Sequence, residues 1–98
     1  MTDYPGYQKD PAERPAAICR IHPHCRERMA ERGATEAEII STVQQGEQFP
    51  AKFGRTGFRR NFSYGQEWRG RVYRTKQLEV IAVEENGWLA LTVIVRYF

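Results

Sequence analysis

A chain of 98 residues, 41% of them hydrophobic, suffices for one domain with one modest core and is too ordinary in composition for a disordered or collagen-like chain. No apolar run approaches the roughly 20 residues of a membrane-spanning helix, and two cysteines cannot make a disulfide framework. The formal net charge of +3 conceals a block from Ala51 to Lys76 with eight basic side chains against one acidic, a field suited to a polyanion such as RNA.

Residues 1–17 read as a flexible arm, polar and broken by Pro5, Pro11 and Pro15, with no signal-peptide pattern, so a cytoplasmic location is expected. Order is expected from Ile18, with 18–21 as a short extended entry. Pro23 suits the first turn of a helix and Gly33 the position just past its end, which predicts a helix over 23–32. On it Cys25 and Met29 are four apart and face a core, while Glu27, Arg28 and Glu31 stay in water. Thr35 followed by Glu38 forms a capping box, and Ile39, Ile40 and Val43 supply the apolar stripe of a second helix ending near Gly46.

From Phe49 onward aromatic and β-branched residues alternate with charge, punctuated by Gly54, Gly57, Gly65 and Gly70, which predicts two or more edge-type strands. Asn86-Gly87 suits a type I′ turn and predicts a hairpin of 77–84 with 88–98. A two-residue turn sets Lys76 opposite Tyr97. It places Leu78, Val80 and Ala82 beside Leu91, Val93 and Val95 on a core face, and Gln77, Glu79, Ile81 and Val83 beside Thr92, Ile94 and Arg96 on a mixed face. The expected fold class is therefore α+β, two-layer, with an N-terminal helix hairpin on an antiparallel sheet of about four strands, residues 18–98 making one domain.

Several groups could carry chemistry. His24 and Arg28 share a helical face, pairing a group that titrates near neutral pH with one that can hold phosphate; a plain helix cap is the competing reading. Cys19, His22, His24 and Cys25 are zinc-type ligands, but all four fall within seven residues around Pro23, so no metal site is expected. Phe58, Phe62, Tyr64, Trp68 and Tyr73 could stack on bases or fill the core. Arg96 near Thr92 calls for an anion, either Glu79 or a substrate phosphate.

The pattern His24-x-x-x-Arg28-Met29-x-x-Arg32-Gly33 followed by Thr35-Glu36, with Thr75-Lys76-Gln77 and Leu91-Thr92-Val93-Ile94 downstream, resembles a family of small bacterial proteins of unknown function. That family is similar in layout to the RelE and ParE toxins and to the barnase, EndoU and colicin ribonuclease group. The resemblance implies an endoribonuclease needing no metal and no cofactor, with RNA and a cognate antitoxin as partners. It implies His24 as general base or acid, Arg28 and Lys76 as phosphate holders, and Thr92 and Arg96 as positioning groups. Arg32, Arg55, Arg59, Arg60, Arg69, Arg71, Arg74 and Tyr97 are the expected RNA contacts, the arginines by their charge. His22, next to Pro23, is expected to point elsewhere, which leaves Lys76 or Tyr97 for a second proton-transfer role. The other open reading is a non-catalytic RNA-binding or protein-interaction module using the basic block 52–76.

Overall fold

The computed structural model describes residues 18–98 and shows two helices packed on one face of a five-stranded mixed sheet. The arm expected over residues 1–17 lies outside the described residues. In chain order the elements are β1 (Cys19–Ile21), α1 (Pro23–Arg32), α2 (Glu36–Gln45), β2 (Glu47–Pro50), a 3-10 turn (Lys52–Gly54), β3 (Thr56–Trp68), β4 (Arg71–Glu84) and β5 (Trp88–Tyr97). The spatial strand order is β1-β5-β4-β3-β2, and only the β1–β5 pair is parallel. The two-layer α+β layout is as expected, with one strand more than anticipated. The extra strand is β1, expected only as a short extended entry, which joins the sheet by pairing with the distant β5.

The helices form for local reasons. His22 sits at the N-cap of α1 in extended conformation, and its Nδ1 accepts the His24 N–H at 3.0 Å, while Pro23 occupies the first turn. Gly33 ends α1 at φ +80°, its N–H donating to the Met29 carbonyl at 2.8 Å. A Cβ there would sit 2.6–2.7 Å from the Trp68 ring and the Tyr97 hydroxyl, so glycine serves both the backbone and the packing. The Thr35–Glu38 capping box starts α2, with Glu38 N–H to Thr35 Oγ1 at 3.1 Å and Thr35 N–H to Glu38 Oε1 at 2.9 Å.

Cys25, Met29, Ala34, Ile39 and Val43 meet Phe58, Leu78, Val80, Ala82, Ala90 and Val93 to form the core. Thr42 is also fully buried, its hydroxyl donating to the Glu38 carbonyl at 2.7 Å. The last hairpin departs from a two-residue turn. Glu84 pairs with Trp88 around a loop of Glu85, Asn86 and Gly87, and a bulge between Ile81 and Ala82 shifts the register by one. Beyond the bulge the expected pairs hold, from Ile81 with Thr92 to Lys76 with Tyr97. The consequence is that Ala90 enters the core where Leu91 was expected.

Gly57 and Gly65 do not separate strands; both lie inside β3. Phe49 lies across Gly57, where any Cβ would overlap its ring, and Gly65, at φ +62°, serves a bulge between Ser63 and Gln66. β3 and β4 thus make one long hairpin, closed at Arg69-Gly70 with both residues at positive φ. Among the described residues no helix is long and apolar enough to cross a membrane.

Candidate functional site

The sheet divides the sequence-predicted site residues between its two faces. Even-numbered β4 side chains from Lys76 to Ala82 are buried under the helices. Glu79, Ile81 and, on β5, Thr92 line the uncovered face.

Lys76 is 4% exposed. Its Nζ donates to the Gly33 carbonyl at 2.5 Å and to Glu38 Oε1 at 2.8 Å, and it stands over the rings of Tyr64 and Tyr97. Trp68 stacks on Tyr97 at 4.9 Å, and Tyr64 and Tyr73 pack against the same ring. The Tyr97 hydroxyl donates to the Arg32 carbonyl at 2.8 Å. Burial, and after it the neighbouring Tyr64 and Glu38, push its pKa up to about 12 against the pull of Arg69. Both groups therefore close the C-terminal end of α1, and neither is placed to hold a phosphate or exchange a proton with His24. This corrects the expectation for Lys76 and Tyr97, and the reason is physical: each already donates to a part-buried backbone carbonyl at the end of α1.

At the other end of α1 a different group assembles. His22, His24, Arg55, Leu91 and Thr92 line one cleft at the sheet edge where β1 ends. β1 positions His22 by its pairing with β5, completed by the His22 N–H donating to the Ala90 carbonyl at 2.9 Å. The cap then fixes its ring. Because Nδ1 accepts a backbone N–H, Nε2 is left as the donor of the neutral imidazole. Arg55 arrives from the β2–β3 loop, and its guanidinium lies 5.7 Å from the centre of the Phe53 ring. A second cleft shares Arg55 and Thr92 and adds Phe49, Ala51, Lys52, Phe53, Glu79 and Ile81.

The remaining predicted cations are mostly engaged. Arg28 pairs with Glu31 at 2.7 Å and does not line the cleft with His24. Arg96 lies 3.7 Å from Glu79, the protein anion being the partner here. Arg59 is held by Glu79 through Nε at 3.0 Å and Nη2 at 2.9 Å, with Glu47 at 3.4 Å and Phe49 beneath it. Arg60 donates to Ser41 and Gln45, Arg32 to the Val93 carbonyl at 2.6 Å, and Arg69 to the Glu31 carbonyl at 2.7 Å. Arg71 and Arg74 are exposed near the long hairpin's turn with no ion pair or side-chain hydrogen bond among the described residues. The stacking candidates also divide: Phe58 is wholly buried against Trp88, and Tyr64, Trp68 and Tyr73 belong to the Tyr97 cluster.

Of the expected catalytic set His24 and Thr92 line one cleft, and Arg28, Lys76 and Arg96 are not among its lining residues. The structure adds His22 and sets Arg55, expected only as an RNA contact, in the same cleft. The signal for His22 was present in the His-Pro step, which fits a residue at N-cap before proline at N1. Among the described residues no three His, Cys, Asp or Glu side chains gather closely enough to hold a metal ion. Both thiols are free; burial, with Cys19 beside it, pushes the wholly buried Cys25 up to about 11, and burial followed by Glu36 raises Cys19. No family model, curated protein or solved structure matches the chain.

Proposed function

We propose that the protein is a metal-independent endoribonuclease whose reactive centre is the cleft of His22, His24, Arg55 and Thr92. The observation that carries this reading is the convergence of two imidazoles, a guanidinium and a hydroxyl from three separate segments on one exposed cleft. His24 takes the proton from a ribose 2′-hydroxyl as its oxygen attacks the adjacent phosphorus. Arg55 and the His22 Nε2–H hold the non-bridging oxygens, where negative charge develops, and Thr92 positions the phosphate through its hydroxyl. The bond to the 5′-oxygen breaks, that oxygen takes a proton from water in the open cleft, and a 2′,3′-cyclic phosphate remains. His22 acts as a hydrogen-bond donor, because loss of its Nε2 proton from the neutral ring would leave an imidazolate. On this reading the protein is the cytoplasmic toxin of a toxin and antitoxin pair, with the antitoxin covering the cleft.

The test is incubation in chelator with purified RNA and, in parallel, with ribosomes translating a defined message, reading the cut ends. Cyclic phosphate ends are expected, falling at least about 100-fold with His24→Ala. An uncut message in both arms, or equal cutting by the variant, overturns the reading. RNA binding without cut ends, weakening steeply as salt rises, would instead assign a binding module, the role that the exposed Arg71 and Arg74 favour.

A further inference from the structure

The connection between β2 and β3 holds a phenylalanine in a position that folding alone does not account for. Phe53 is 86% exposed, and its backbone lies in the left-handed region at φ +62°, ψ 34°. That conformation is uncommon for a bulky side chain, and an exposed ring does not recover its strain by burial. The loop is nevertheless well tied: the Ala51 N–H donates to the Arg55 carbonyl at 2.9 Å and the Arg55 N–H to the Lys52 carbonyl at 3.2 Å. Gly54 follows at φ +70°, and among the described residues nothing beyond its chain neighbours lies within 4 Å of where its Cβ would be.

The surroundings specify what would meet that ring. Lys52 and Arg55 flank it, both exposed, and Arg55 also lines the His24 cleft. On the floor between ring and cleft stand Ile81 and Thr92, and the carboxylate there, Glu79, is bound by Arg59. An aromatic face between two cations, beside a cleft lined by His22, His24, Arg55 and Thr92, matches a nucleotide whose base is unpaired: the base takes the ring and the backbone takes the cations. A base inside a duplex presents no free face to such a finger.

We propose that Phe53 is a stacking residue for an unpaired base next to the phosphate held at His24, which makes single-stranded RNA the substrate class of this site. The proposal rests on the endoribonuclease reading for its register with His24, but the stacking is measurable without cleavage. The experiment uses the full chain and a short RNA carrying 2′-O-methyl groups throughout, as a single strand and as the matching duplex, and measures binding by anisotropy.

Wild type is expected to prefer the single strand, Phe53→Ala to weaken that binding roughly 10-fold or more while leaving duplex binding unchanged, and Phe53→Trp to retain it. Equal single-strand binding by Phe53→Ala, equal affinity of wild type for strand and duplex, or no measurable RNA affinity overturns the proposal; the last would leave the ring to a protein partner. If binding behaves as expected while unmodified RNA stays whole, the endoribonuclease reading falls and the stacking role stands.

Discussion

Lys76 and Arg55 come from one basic stretch and both stand among aromatic rings, yet they lie on opposite faces of the sheet and differ in what already holds them. Lys76 is enclosed: a carboxylate, a backbone carbonyl and two tyrosine rings take up its ammonium group. Arg55 has a ring beside it and no carboxylate or side-chain oxygen bonded to it among the described residues. The two ends of α1 therefore do different work with the same residue types. At its C-terminal end cation and aromatics are packed into the fold, and at its N-terminal end Arg55 and Phe53 are exposed. A count of positive charge along the chain cannot separate these roles; the partner each cation meets does.

The contrast can be broken most forcefully at Lys76. Lys76→Met leaves Glu38 with the Thr35 N–H but without its buried counter-charge, and the Gly33 carbonyl without its donor. A loss of about 3 kcal/mol in urea unfolding is expected, enough to leave a domain of this size marginal. Unchanged stability would mean that the C-terminal end is not structural.

A smaller effect is expected at Tyr97. Tyr97→Phe keeps the stacking on Trp68 and removes the bond to the Arg32 carbonyl, costing about 1 kcal/mol at neutral pH. Its raised pKa means that the fold favours the protonated phenol. That stabilisation is complete below pH 10 and disappears as pH rises toward about 12. Cys25, raised to about 11, adds a decline of the same sign beginning near pH 9. Unfolding curves at rising pH should therefore fall less steeply for Tyr97→Phe without becoming flat. A slope equal to wild type would remove Tyr97 from the alkaline linkage.

The smallest stability change belongs to the open end. Arg55→Ala is expected to alter unfolding by no more than about 0.5 kcal/mol while reducing RNA cleavage in the chelator assay. A large destabilisation would erase the distinction between the two regions.

These differences also explain how far the sequence could be read. The α1 cap glycine, the Thr35–Glu38 box and the inward Cys25 and Met29 were legible because their causes lie within a few residues. The last hairpin was legible in its deep register, whereas its three-residue loop and the bulge that exchanges Leu91 for Ala90 depend on how the sheet closes. Lys76 could not be read as structural, since Gly33 and Glu38 lie 43 and 38 residues away. The two histidines meet Thr92 only through β1 pairing with β5, and Arg55 joins them only through the course of the β2–β3 loop, neither of which periodicity reports.

That parallel pairing has a consequence in time. It joins Cys19–Ile21 to Trp88–Ala90, so an early strand waits for β5, made far later in the chain. During synthesis the two histidines emerge well before the threonine that completes their cleft. A growing chain can build α1 and α2 and still lack the finished cleft until β5 arrives. Completion of the cleft and completion of the sheet are then one event, and a chain cut short before Trp88 contains both imidazoles but cannot assemble the site around them.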